Sequence, residues 1–168
     1  VTGWVAALGY TLQLYFDFSG YSDMAVGIAL LLGFHFPQNF NSPYKATSMS
    51  MFWSRWHMTL SRWLRDYIYF PLGGSRAGRV KTLRNVVIVM FIGGLWHGQN
   101  WTFVVWGLAH GALLVIENVA SQKGFVPPSQ WMKRALAFFW VVYLRIIFRA
   151  PTLAAGGTIM AACIGANG

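Results

Sequence analysis

Acidic residues are nearly absent from this chain: Asp17, Asp23, Asp66 and Glu117 are the only four in 168 residues. Chemistry that sets two carboxylates against one substrate is therefore not expected. A single cysteine, Cys163, excludes an internal disulfide and a cysteine metal cluster. No Gly-x-Ser-x-Gly elbow, phosphate loop or His-Glu-x-x-His zinc motif occurs either. Asp17, Ser19, Tyr21 and Asp23 have the spacing of a calcium loop, but Ser22 stands where the loop needs glycine and no closing glutamate follows. No metal is expected.

What the chain does hold is apolar and aromatic. Hydrophobic residues make up 56% and charged residues only 10%, against roughly 25% charged in a soluble domain. Nine tryptophans, seven tyrosines and thirteen phenylalanines suit long interfacial zones, where amphipathic rings sit at headgroup level. The composition is that of an integral membrane protein. The net charge of +9 does not suggest nucleic acid, because Arg76, Arg79, Lys81 and Arg84 crowd one short stretch between apolar runs. That is the positive-inside pattern, and it places a loop there in the cytoplasm.

Along the chain, Thr2 to Phe16 reads as the tail of a spanning helix. Polar residues from Asp17 to Asp23 predict a break, after which a second helix runs to Phe34. Pro37 to Pro43 is a loop, and Thr47 or Ser48 then opens a helix to about Tyr69. Trp53, Trp56, Leu60, Trp63 and Tyr67 form one stripe on it, opposite Arg55, Thr59, Arg62 and Asp66. An amphipathic helix of this kind is expected at the membrane interface. His57, four residues and so about 40° from Trp53, turns inward with the rings. Pro71 to Gly74 ends the helix. Two apolar stretches then run from Asn85 to about Val119 and meet near Gly98-Gln99-Asn100, as one long and one shorter segment or as two helices joined at a break. Lys123 to Lys133 is an exposed loop, and Ala135 to Phe148 begins a last segment that Pro151 stops.

The candidate site lies in the middle of this apolar sequence. His97 follows a run that is almost wholly apolar from Val86, and an ionisable side chain in such surroundings marks function by default. It is thirteen residues from Arg84, roughly 20 Å of helix, and so past the middle of a hydrocarbon core about 30 Å thick. With an unperturbed pKa of about 6.5, imidazole is a proton acceptor near neutral pH. Gly94 and Gly98 flank His97, and Gly107 and Gly111 flank His110, in frames that let helices approach closely. On one straight helix the two histidines would lie roughly 220° apart, so they share a site only if the helix breaks between them.

Four motifs occur in order: Tyr15 to Ala25 (YFDFSGYSDMA), Phe52 to Ser61 (FWSRWHMTLS), Trp63 to Tyr69 with Pro71 to Gly74 (WLRDYIY and PLGG), and Gly94 to Gly98 (GLWHG). Together they resemble the membrane-bound O-acyltransferase (MBOAT) family, within its bacterial branch of alginate O-acetyltransferase membrane subunits. The resemblance covers about Tyr10 to Pro151. It implies an all-α, polytopic membrane protein with a buried tunnel, of which residues 1–168 are one partial domain, the C-terminal portion without the N-terminal helices. The chain starts Val1-Thr2-Gly3-Trp4 and ends Ile164 to Gly168 still apolar, which fits an excerpt of a longer protein.

The resemblance further implies that His97 is the catalytic residue and His57 a second site residue, while His35 and His110 match no catalytic position. The implied reaction moves an acetyl group from a thioester donor, acetyl-CoA or another acyl thioester, toward hydroxyls of an exported polysaccharide. No tightly bound cofactor is expected. Partners would be the acyl donor, an extracytoplasmic acetyltransferase with its polysaccharide machinery, and membrane lipid, in a bacterial cytoplasmic (inner) membrane crossed several times. Two rival readings are D-alanyl transfer to teichoic acid from a carrier protein, and a transporter fragment whose histidines relay protons.

Overall fold

A computed structural model describes residues 2–76 and 78–166. Val1, Ala77, Asn167 and Gly168 lie outside them, and with them the outermost ends of the domain expected over 1–168. The described residues are helical, with no strand among them. In chain order the helices are α1 (Thr2–Leu31), α2 (Met49–Trp53), α3 (Met58–Leu64), α4 (Arg79–His97), α5 (Trp101–Gln122), α6 (Gln130–Arg149) and α7 (Leu153–Cys163). A 3₁₀ turn (Pro43–Lys45) precedes α2, and a π-turn (Arg65–Tyr69) follows α3.

α1 corrects one expectation, because it runs unbroken through Asp17 to Asp23. Asp17 and Asp23 point outward and need no partner in the chain. Buried Ser22 receives Asn39 Nδ2 at 3.3 Å, so its hydroxyl is met without opening the helix. The helix ends at Gly33 (φ 81), where Phe34 N donates to Ala29 O at 2.8 Å in the six-to-one bond of a Schellman cap.

The long interfacial helix is the second correction. Ser48 opens it as expected, its hydroxyl accepting from Met51 N, but the helix stops at Trp53 and restarts at Met58. His57 lies at the break in the left-handed region (φ 44), which disfavours continuation. Asn39 makes the break tolerable: its carbonyl accepts from Met58 N at 2.9 Å and its side-chain oxygen from Thr59 N at 3.2 Å. Two amides freed at the start of α3 are thus capped from a distant loop. The kink splits the aromatic stripe. Trp56 turns into the core against Phe52 and Val141, whereas Trp63 and Tyr67 stack on each other at the surface, 50% and 69% exposed.

The break between the two apolar stretches is real. α4 and α5 are separate antiparallel neighbours, joined at Gly98 to Asn100, with Asn100 capping α5 by accepting from Thr102 N. The glycine frames explain how closely they pack: a Cβ on Gly107 would fall on Met90 O and 3.1 Å from the Cα of Gly94. α4 begins earlier than expected, so Arg79, Lys81 and Arg84 lie on its first turns and not in a loop. α6 likewise begins at Gln130, with Ser129 as its cap. Past Pro151 the chain continues as α7, opened by Thr152 accepting from Ala155 N at 3.2 Å, a cap the sequence reading passed over.

α6 packs against α1, α5 and α7 and lies at the centre of the bundle. α5 is the one described helix long and apolar enough to cross a membrane by length and composition. α4 is charged at its start and α6 at both ends, which lowers their apolar character below that of a simple span.

Candidate active site

His97 is the last residue of α4. The turn that holds it is tied down from outside, because Asn100 Nδ2 donates to Pro151 O at 2.8 Å and so links the α4–α5 turn to the α6–α7 turn. Rings surround the imidazole: Trp96 at 5.1 Å, Trp106 at 5.2 Å and Phe148 at 5.2 Å between centroids. Neither ring nitrogen of His97 bonds to any described residue. The imidazole lines a cavity of about 140 Å³, walled by Trp53, Leu60, Leu64, Met90 and Trp106. An imidazole with its nitrogens unengaged at the edge of a largely apolar cavity is available to a ligand.

His57 is built differently. Its Nδ1 lies 3.1 Å from Asn39 Oδ1, an oxygen that also accepts from Thr59 N. An acceptor at this position requires the proton on Nδ1, which leaves the Nε2 lone pair unengaged. The ring packs edge-on to Phe18 at 4.8 Å, and burial pushes its pKa down to about 4, so it is neutral at physiological pH. Trp96 touches both candidate histidines, at 5.8 Å from His57 and 5.1 Å from His97. The fold thus gathers residues 57 and 97 from different elements around one indole.

His110 lies one ring further in. It is 2% exposed and packs against Trp53 at 5.1 Å and Trp106 at 4.9 Å, and Trp106 is also the neighbour of His97. Trp106 separates the two imidazoles. His110 Nδ1, Trp53 Nε1 and Trp106 Nε1 are all buried without a hydrogen-bond partner. Such atoms are rare, and they mark places where a water or a bound molecule completes the bonding. His35 is exposed and belongs to no such cluster.

Sequence reasoning missed two residues here. Asn39 read as a loop residue, and its only signal was asparagine between prolines, a common turn pattern. Arg145 read as a charge near a helix end, yet it is 3% exposed, with its guanidinium carbon 4.5 Å from the ring centre of Trp56 and 5.4 Å from that of Phe148.

The helices thus define a bundle in which His97 edges an apolar cavity and His57 lies beside it across Trp96. The chain belongs to the membrane-bound O-acyltransferase family, whose sequence profile matches residues 2–153. It is 50% identical over 153 residues to a probable alginate O-acetylase of Azotobacter vinelandii, covering 89% of this chain and 30% of that protein. It is 42% identical over 171 residues to the peptidoglycan O-acetyltransferase of Helicobacter pylori, covering 100% of this chain and 32% of the relative. The teichoic acid D-alanyltransferase of Bacillus subtilis is 33% identical over 135 residues, covering 73% of this chain and 34% of the relative. The chain spans about a third of the length of the curated relatives it matches.

Proposed function

We propose that the full-length protein transfers an acetyl group from a thioester donor, such as acetyl-CoA, toward hydroxyls of an exported polysaccharide. His97 takes the proton from an acceptor hydroxyl, and that oxygen attacks the thioester carbonyl. The carbon–sulfur bond breaks, and the protonated imidazole returns its proton to the departing thiolate. The observation that carries this reading is the unengaged imidazole of His97 at the edge of the cavity. The names of the alginate and peptidoglycan relatives support acetyl as the group and a cell-surface polymer as the destination. His57, with its tautomer fixed by Asn39, orients the acceptor or the thioester.

The site lies in a protein that crosses the bacterial inner membrane several times and hands acetyl groups to an extracytoplasmic acetyltransferase partner. A second reading, D-alanyl transfer from a carrier protein, draws on the Bacillus subtilis relative. Supplying membranes with labelled acetyl-CoA or a labelled D-alanyl carrier separates the two by which label reaches polymer. In the full-length protein, His97→Ala should leave expression and membrane insertion normal and reduce polymer acetylation to less than about a tenth of wild type, as loss of a general base does. Retention above that level removes His97 from the catalytic role.

A further inference from the structure

We propose that Arg145 is an anion-binding residue of this site, receiving a carboxylate or phosphate oxygen of a substrate bound beside His97. The inference rests on placing the reaction at His97. Arg145 is 3% exposed. A guanidinium so deeply buried is normally matched by a carboxylate, because an unpaired buried charge is costly. None of the four acidic residues serves it. Asp66 pairs with Arg65 at 2.8 Å, Glu117 accepts from Met49 N and Ser50 N, and Asp17 and Asp23 are exposed on α1. Arg145 makes no hydrogen bond to any described residue. Arg149, one turn further on, shows the ordinary alternative, since it is exposed and lies over Tyr10.

What Arg145 does have is rings. Trp56 and Phe148 offer their faces to its charge, which offsets part of the desolvation. Ring faces satisfy none of the five N–H donors. Those donors lie in the guanidinium plane, and their fork matches two oxygens of a carboxylate or phosphate. Phe148 is also the ring against His97, so the charge lies one side chain from the proposed base. A fixed anion fits better than the charge that develops transiently on a thioester oxygen, because a permanent anion neutralises the guanidinium for as long as substrate is bound.

The two sources of such an anion are the phosphates of a nucleotide-bearing thioester and the carboxylates of an acidic polymer. The test measures equilibrium binding to the full-length protein in detergent, in a His97→Ala background where no turnover occurs. Acetyl-CoA is compared with S-acetylpantetheine, which lacks phosphate, and an oligouronate with its carboxyl-reduced neutral form. Replacing Arg145→Gln should weaken one of the two anionic ligands by about tenfold or more, the scale of a charge-assisted hydrogen bond. Its neutral counterpart should stay within about twofold. The ligand that weakens identifies the source. Arg145→Lys should restore part of the loss, since it keeps the charge without the fork.

Unchanged affinity for both anionic ligands overturns the inference, as does equal weakening of charged and neutral forms, which is what a merely structural arginine would give. If Arg145→Gln does not fold, Arg145→Lys carries the test: an affinity for one anion lowered about threefold supports the inference, and wild-type affinity for both overturns it. Failure of the functional reading would show separately, as acetyl transfer that survives His97→Ala.

Discussion

Asn39 and His57 are joined by a 3.1 Å hydrogen bond from the imidazole Nδ1 to the amide oxygen, and the same asparagine caps the helix that begins at the next residue. One loop side chain therefore sets both the tautomer of a candidate site residue and the direction of the chain leaving it.

Asn39→Ala removes that acceptor and leaves the His57 ring nitrogen and the Thr59 amide unmet. A stability loss of about 1–3 kcal/mol is expected. Acetyl transfer per folded molecule should also fall about tenfold, because the ring is no longer held. Asn39→Asp keeps an acceptor and should lose less. Melting temperature and transfer rate of the full-length protein in detergent check both, and equal activity in Asn39→Ala and wild type would show that the orientation of His57 is immaterial.

Substitution of Gly107 tests the helix pairing that holds His97. A methyl group there meets Met90 O and the backbone of Gly94, neither of which yields without moving a helix. Gly107→Ala should cost about 1–3 kcal/mol, as overpacking does. Gly157 in α7 has open space around its Cβ position, so Gly157→Ala should leave stability unchanged or raise it by up to about 1 kcal/mol. Thermal unfolding of the two variants side by side decides the matter.

The histidines should separate by mechanism. His57→Gln should lower transfer strongly in protein that stays folded, whereas His110→Gln should act mildly and in step with its melting temperature, as a packing residue does. A pH series adds a second readout. Burial holds the His57 pKa near 4 in the folded state, below the unfolded value of about 6.5, so the unfolded chain binds the extra proton between those values. Its contribution to stability is complete above pH 6.5 and is lost as pH falls toward 4. The melting temperature of His57→Gln should therefore drop less across that window than that of wild type. A folded but inactive His110 variant beside a normal His57 variant would reverse the assignment.

Orientation follows from the basic start of α4. A cysteine at Ser75, in a background lacking Cys163, should react with a membrane-impermeant thiol reagent only after the cytoplasmic face is opened. Labelling in intact cells or spheroplasts inverts the topology.

Local signals carried much of this fold. The caps at Ser48 and the turn at Gly98 to Asn100 depend on neighbouring residues, so periodicity and capping rules found them. The glycine frames around His97 and His110 also pointed correctly to close helix packing. The failures came from distant partners. Nothing near His57 foretells that Asn39 will cap α3 and permit a left-handed residue there, so the sequence read one helix where two exist. The polar run from Asp17 to Asp23 looked like a break because its satisfaction depends on outward orientation and on a bond from Asn39 to Ser22. The burial of Arg145 was hidden for the same reason, since Trp56 and Phe148 reach it only after α2 and α6 have packed.

The bond from Asn100 to Pro151 ties two turns of the bundle together at the His97 end. At the other end of α5 the tie is Glu117, whose carboxylate accepts from Met49 N and Ser50 N. When bilayer thickness changes, helices tilt or splay to match it, and each of these ties opposes a splay at its own end. At the His97 end that resistance acts beside Trp106 and Phe148, the rings against the imidazole.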